Sequence, residues 1–310
     1  MNRHQTVRPE QKYTAKQFEV EFPDEDACLE FLKEQRWPDG RALCVKCGIE
    51  RKHYRVTGRT AYACHACGNH IFPLAGTIFH KSTTSLRTWF YVIRLMSSTR
   101  VGVSAKHIQR ETGVTYKTAW RMMKQIRMLM AEKIQLSGPV EIDEAHFGGS
   151  DENKPRQLRG RKKTPVLGMV ERGGQVVAQV VPNVSTATLK PAVVEYILPH
   201  STVITDENGA YNTISEGRRF QHLKVNHSKS YVDGNAHINT IEGFWSLVKR
   251  GITGVYYQVG LEYLQSYLNE YAFRYNRRKV MRPMFSLLAE RTTIQVCPCA
   301  REQRLLAQPE

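Results

Sequence analysis

Four cysteines in two matched pairs constrain this chain more than any other feature. Cys44-Val-Lys-Cys47 and Cys64-His-Ala-Cys67 are two C-x₂-C turns with 16 residues between them. Four thiolates in this arrangement suit tetrahedral Zn²⁺, because each turn supplies two sulfurs and the segment between them can fold back as a hairpin. A pair of disulfides is the alternative, which a reducing compartment disfavours. We therefore predict a zinc ribbon over residues 41–75, in which one structural zinc ion has no open position for catalysis.

The charge balance of the chain points to a polyanionic partner. Lys and Arg number 45 against 29 Asp and Glu, which gives a formal net charge of +16 over 310 residues. Such an excess is typical of proteins that bind nucleic acid. With 41% hydrophobic residues the chain should fold. No run approaches about 18 apolar residues and no apolar stretch follows the N-terminus. We expect a cytoplasmic protein with no membrane partner.

A helical region follows the predicted ribbon. Helical spacing of apolar residues predicts helices over 24–35 and 85–98. Ser104 and Thr115 are candidate N-caps of two further helices with a tight turn around Gly113 between them, which is the outline of a helix-turn-helix. The second of these helices should expose a set of polar and basic side chains to DNA, namely Tyr116, Lys117, Arg121 and Lys124. A plain helical hairpin that only packs is the alternative, and the basic surface favours DNA.

The residue pattern changes period after Ser137-Gly138-Pro139. Strands are predicted over 139–147, 164–172, 174–182 and 201–206, and helices over 186–198, 238–252 and 261–278, with a short helix or turn over 208–214. This order predicts an α/β domain. The predicted regions are an N-terminal helical segment (1–40), the ribbon (41–75), the helix-turn-helix region (84–135), the α/β catalytic domain (138–282) and a C-terminal tail (283–310).

Three acidic residues occupy positions that call for a chemical reason. Asp143 lies in an apolar, β-rich run and Asp206 ends another, where an unpaired buried carboxylate costs several kcal/mol. Glu242 shares one stripe of the helix over 238–252 with Lys249, which would touch a DNA phosphate. Carboxylates from three elements suit two Mg²⁺ or Mn²⁺ ions about 3.5–4 Å apart. A chance triad among 29 acids is the alternative, against which the strand-end placement argues.

Several motifs together resemble the insertion-sequence transposases of the ISXO-two-like group. They are the paired C-x₂-C turns, Ile142-Asp143-Glu144, Thr205-Asp206 with Ala210-Tyr211, the run from His237 to Ser246, and Lys249-Arg250-Gly251. The resemblance implies an RNase H-like domain, a mixed sheet with flanking helices, and a DDE-type acidic triad that falls on Asp143, Asp206 and Glu242. It also implies DNA contacts by Lys249 and Arg250. For His237 and Asn239 we expect DNA contacts or support of the third acid, with helix capping as the alternative.

The function implied by this resemblance is DNA transposition. The protein would bind the terminal inverted repeats of its own element, cut the element ends to expose 3′-hydroxyls, and join these to target DNA. An assembly of at least two chains on the nucleoid of a prokaryote is expected, because two ends must be joined. A zinc-ribbon and helix-turn-helix regulator, an RNase H-like nuclease without strand transfer, and an inactivated relative remain as alternatives.

Overall fold

The structure, a computed structural model, describes residues 8–148, 163–214, 219–225 and 237–294. The chain forms two compact units, one from Met1–Leu129 with Val280–Glu310 and the other from Met130–Lys279. Within the described residues, no helix is both long and apolar enough to span a membrane. The predicted C-terminal tail is described only as far as residue 294.

The first unit combines helices with a small antiparallel sheet. Its elements are α1 (Ala15–Glu21), α2 (Glu25–Arg36), β1 (Arg41–Cys44), β2 (Ile49–Arg55), β3 (Tyr62–Cys64), β4 (His70–Ile71), α3 (Leu86–Ser98), α4 (Ala105–Thr112), α5 (Tyr116–Met128) and α9 (Met284–Glu290). The strands pair in the order β1-β2-β3-β4. The helices predicted over 24–35 and 85–98 are therefore confirmed as α2 and α3.

The described start of the predicted tail is folded. Phe285 of α9 meets Phe18 of α1 and Phe22 in edge-on contacts, with ring centroids 6.1 and 5.8 Å apart. Phe285 is 2% exposed, so α9 contributes to the core of the first unit. Helix α9 was not predicted as separate from the tail, because seven residues are too few to show a helical period.

Helices α4 and α5 form the predicted helical pair. The backbone N–H of His107 donates to the hydroxyl of Ser104, and that of Thr118 to the hydroxyl of Thr115. Both predicted N-caps are thus confirmed. Gly113 ends α4 at a positive φ of 72°, the left-handed conformation that only glycine adopts without strain.

The second unit is a five-stranded mixed sheet with helices on both faces. Its elements are β5 (Pro139–Phe147), β6 (Thr164–Glu171), β7 (Val176–Val180), α6 (Thr186–Tyr196), β8 (Thr202–Thr205), β9 (Gln221–Lys224), α7 (Asn239–Gly251) and α8 (Leu264–Asn276). The strand order is β7-β6-β5-β8-β9. β5 and β6 pair antiparallel, as do β6 and β7, whereas β8 runs parallel to both β5 and β9. The predicted α/β architecture with a mixed sheet is confirmed.

Each face of the sheet has its own apolar core. Residues of α7 and α8, such as Trp245 and Leu268, pack on one face, and residues of α6, such as Leu189, pack on the other. Side chains of β5 alternate between these cores, since Ile142 belongs to the α6 side and Ala145 to the α7 side. Asp143 therefore falls on the α7 side, two residues before Ala145.

A glycine opposite Asp143 makes room for α7. Gly168 of β6 is the cross-strand partner of Asp143. A Cβ atom on Gly168 would lie 2.3 Å from Cζ2 of Trp245 and 2.8 Å from Cδ1 of Ile241. The indole ring thus occupies the space that a side chain at position 168 would fill, which brings α7 close to the acidic strand.

Two amide side chains of α8 cover the outer edge of β7. Asn276 accepts from the N–H of Val176 (2.7 Å) and donates to its carbonyl (3.1 Å). Gln265 accepts from the N–H of Val180 (2.8 Å) and donates to the carbonyl of Ala178 (2.9 Å). These bonds satisfy backbone groups that an edge strand otherwise leaves unpaired.

Candidate functional site

Three carboxylates meet near the centre of the mixed sheet. Asp143, Glu144 and Asp206 each have an oxygen within 4.8 Å of the others. β5 and β8 run parallel with Glu141 beside Ile204, so two residues further along Asp143 and Asp206 are neighbours. Asp206 directly follows β8, where the backbone N–H of Asn208 donates to its Oδ1 (3.0 Å). Two of the three predicted acids are thus brought together.

The electrostatics of this group favour a cation. Burial, together with repulsion from the carboxylates of Asp206 and Glu242, raises the pKa of Asp143 to about 6. Several acids held this close relieve their repulsion by binding a proton or a divalent ion. The indole N–H of Trp245 acts in the opposite direction and lowers the pKa of Asp143.

Glu242 approaches the same group from α7. Its side chain lies in the first turn of α7 and is exposed. It is close enough to raise the pKa of Asp143, yet it is not a member of the tight cluster, in which Glu144 is the third carboxylate.

Glu144 had no predicted role. Its pKa is raised by burial and by Asp206 and Asp143, while the hydroxyl of Tyr211 donates to it and lowers this pKa. Burial and the carboxylate of Glu144 in turn raise the pKa of Tyr211. Strand alternation predicts opposite faces for Asp143 and Glu144, so the adjacent Asp-Glu pair was the only sequence signal for this contact.

The four residues expected to contact DNA around Glu242 differ in exposure. Lys249 and Arg250 are exposed in the last turn of α7, and Nε of Arg250 donates to the carbonyl of Ser246 (3.1 Å). Asn239 is exposed at the first residue of α7, and Ile238 rather than Asn239 is the N-cap. The ring of His237 is half-buried, with Nδ1 3.3 Å from Oε1 of Glu141. His237 therefore faces the interior, where it contacts Glu141.

The four ribbon cysteines also meet. Their sulfurs lie within 4.8 Å of one another. The distance between Sγ of Cys44 and Cys67 is 3.5 Å, and between Cys47 and Cys64 it is 4.0 Å. Four thiolates about 2.3 Å from a tetrahedral zinc ion would lie roughly 3.8 Å apart, so the donor set and its spacing fit zinc.

The predicted DNA-facing side of α5 is exposed. Tyr116, Lys117, Arg121 and Lys124 all have exposed side chains, whereas Ala119, Met123 and Ile126 are buried. Cations also lie over two rings here: Nζ of Lys106 is 5.2 Å from the Tyr116 ring and Nζ of Lys124 is 5.6 Å from the Trp120 ring. This surface is basic and aromatic, the chemistry that binds nucleic acid.

The fold and site define the class of this protein. A mixed sheet with one aspartate on β5, a second directly after the neighbouring parallel strand β8, and a glutamate-bearing helix beside them is an RNase H-like domain of the DDE type. Residues 135–276 match the ISXO2-like transposase domain, and residues 23–70 match the transposase zinc-ribbon domain. The chain belongs to the ISXO2-like transposases of insertion sequences.

Two relatives named for mobile elements agree with this assignment. A protein in transposable element ISH50 of Halobacterium salinarum is 30% identical over 255 residues, which are 75% of this chain and 84% of the relative. A transposase-like protein of Haemophilus influenzae is 33% identical over 106 residues, which are 34% of this chain and 85% of the relative. A solved simian T-cell lymphotropic virus intasome in complex with PP2A regulatory subunit B56 gamma aligns with 72% of this chain and 77% of its own, at 11% identity and a TM-score of 0.31.

Proposed function

We propose that this chain is an active transposase that binds the terminal inverted repeats of its element and cuts and joins DNA with divalent metal ions. The carboxylate group of Asp143 and Asp206, with Glu242 close enough to act on Asp143, is the single observation that carries the proposal. The overall positive charge of the protein attracts DNA. These acids would nevertheless repel a phosphate unless cations lie between them. The same group would therefore hold Mg²⁺ or Mn²⁺.

The proposed reaction has two displacements at phosphorus. Water attacks the phosphodiester at the element end, the bond to the 3′ oxygen breaks, and a free 3′-hydroxyl remains. This hydroxyl then attacks a target phosphodiester and displaces the target's own 3′ oxygen. Two divalent ions at the site would activate the attacking oxygen and stabilise the leaving one.

The residues of the chain position the reacting groups. Asp143, Asp206 and Glu242 would hold the ions, and Lys249 and Arg250 at the far end of α7 would bind neighbouring phosphates. Asn239 would contact the DNA at the start of this helix. No side chain needs to form a covalent bond with DNA, because water and the 3′-hydroxyl are the nucleophiles.

The first unit would recognise DNA. The exposed side chains of α5 would enter the groove of the terminal repeat, and the ribbon would hold one structural Zn²⁺ through its four cysteines. Since two element ends must be joined in one reaction, at least two chains would act together on the repeats and the target.

The test is a cleavage and joining assay with purified protein, Mn²⁺ or Mg²⁺, and a labelled duplex that carries the DNA flanking its gene. We expect metal-dependent cut ends and joined products from the wild type. Glu242→Gln should bind the duplex and neither cut nor join. Glu195→Gln, which changes an exposed glutamate on α6, is the matched control and should behave as the wild type.

Other results of this assay would identify the alternatives. Tight binding without any cut under either metal ion would indicate a regulator or an inactivated copy. Cut ends without joined products would indicate a nuclease. A Glu242→Gln protein that still cuts would remove Glu242 from the reaction.

A further inference from the structure

We propose that Glu141 is a positioning residue that holds the start of α7, and with it Glu242, against the strand that carries Asp143. This inference rests on the proposed function and adds a residue to it. Glu141 lies on β5 two residues before Asp143, so both side chains are on the α7 face of the sheet. Glu141 is 0% exposed, which is rare for a carboxylate and requires several partners.

The partners of Glu141 are the first residues of α7. Its Oε2 accepts from the backbone N–H of Thr240 (2.8 Å) and of Ile241 (3.1 Å). Its Oε1 accepts from the hydroxyl of Thr240 (2.9 Å). Both carboxylate oxygens are therefore bonded to one helical turn, the turn that ends at Glu242.

An arginine directly after β6 binds the same carboxylate. Nε of Arg172 donates to Oε1 of Glu141 (2.8 Å), and its Nη2 donates to the carbonyl of His237 (2.7 Å). The ring of His237 lies 3.3 Å from the same oxygen. The arginine thus compensates the buried charge and fixes the segment that leads into α7.

Helix α7 has no N-cap side chain of its own. Its N-cap is Ile238, which makes no side-chain capping bond. The first N–H groups of a helix have no partner within the helix and carry partial positive charge. Glu141, about one hundred residues earlier in the chain, supplies the missing acceptor. An anchor from the acidic strand fixes the helix relative to that strand, which an N-cap within α7 could not do.

The consequence concerns the metal site. Glu242 follows Ile241 directly, so any movement of the first turn of α7 changes the distance from Glu242 to Asp143. A carboxylate is required at position 141, because both of its oxygens accept hydrogen bonds. An amide would replace one of these acceptors with an NH₂ group, which would face a donor. Glu141→Gln keeps the shape of the side chain and removes this match.

The experiment measures the Mn²⁺ requirement of cleavage and the hydrogen exchange of the amides of residues 239–245 in the full-length protein. For Glu141→Gln we expect the Mn²⁺ concentration for half-maximal cleavage to rise about 10–100-fold, as when a residue that supports a metal ligand is lost. Exchange at Thr240 and Ile241 should become faster, while DNA binding stays near the wild-type value. Thr240→Val, which removes only the hydroxyl donor, should shift the Mn²⁺ requirement in the same direction by less.

The matched control is Glu270→Gln. Glu270 is also 0% exposed in the second unit and pairs with Arg274 at 2.6 Å, but it lies on α8. Its variant should lose stability and keep the wild-type Mn²⁺ requirement. An unchanged Mn²⁺ requirement in both Glu141→Gln and Thr240→Val would overturn the inference. If the wild type does not cut, the proposed function fails, and unchanged exchange at Thr240 and Ile241 in Glu141→Gln would then overturn the anchor separately.

Discussion

Single residues of β5 alternate between two tasks. Glu141 and Asp143 face α7, and Ile142 between them belongs to the core under α6. Period-two alternation lets one strand hold an apolar contact on one face and two acids on the other. Asp143 and Asp206 could be predicted because charged residues interrupted apolar runs. Glu141 and Glu144 could not, because their importance depends on Thr240 and Tyr211, which are distant in sequence.

The pKa of Asp143 predicts how metal binding depends on pH. This carboxyl group holds its proton up to about pH 6, and only the ionised form is a metal ligand. We expect the apparent Mn²⁺ affinity to be constant above about pH 7 and to fall about tenfold per unit below pH 6, since one proton competes with the ion. Calorimetric titration at several pH values measures this. Asp143→Asn should bind weakly at every pH, and a wild-type affinity that does not change down to about pH 5 would contradict the prediction.

The close approach of Trp245 to Gly168 predicts a strong effect of a single methyl group. In Gly168→Ala, the new Cβ would lie 2.3 Å from the indole ring, so β6 and α7 must separate. We expect the free energy of unfolding to fall by about 1–3 kcal/mol, measured by urea denaturation. Gly243→Ala is the control, because a Cβ there meets nothing within 4 Å and α7 gains a better helix former. Equal stabilities of the two variants would contradict the proposed contact.

Among the elements, those with a repeating pattern were predictable and the shortest were not. α7 and α8 follow apolar stripes, and the N-caps Ser104 and Thr115 precede their helices directly. β9 has four residues, mostly polar, and it exists because its backbone pairs with β8. Such a strand has no signal of its own in the sequence, since its stability comes from a neighbour.

The zinc ribbon is the element whose folding depends most on a ligand. In Cys47→Ser we expect loss of bound zinc and rapid proteolysis within residues 41–75, because a piece this small has little core of its own. Zinc content and protease digestion measure both effects. Cys28→Ala is the control: Cys28 is buried outside the cluster, and burial raises the pKa of its thiol to about 12. Zinc retained by Cys47→Ser would contradict the four-cysteine site.

At the scale of the whole molecule, the sequence pattern indicates a second folded region, but it does not indicate that the chain returns to the first unit afterwards. The change of period at Gly138 marks the second unit, which begins at Met130. After α8 the chain re-enters the first unit from Val280, where Phe285 joins the aromatic core. No local sequence pattern predicts that the chain rejoins the first unit, because aromatic residues in a short helix could pack against either unit.

The net charge of +16 predicts salt-dependent DNA binding. If six to ten phosphates are neutralised, the affinity should fall about 10³–10⁵-fold between about 50 and 200 mM salt. Exchange of Lys117 and Arg121 for alanine should reduce the slope of log affinity against log salt by about two. Lys16→Ala, at an exposed position on α1, should leave the slope unchanged. Affinity that does not change with salt would contradict a phosphate-based interaction.

The amides of Asn276 and Gln265 along β7 have a consequence for newly made protein. Many copies are made close together on one messenger RNA, and an open edge strand would let neighbouring copies pair strand to strand and aggregate. In this chain the outer backbone groups of β7 bond to its own α8 instead. Once α8 has docked, another chain cannot pair with this edge of the sheet. The covered edge therefore protects newly made chains from aggregating through β7.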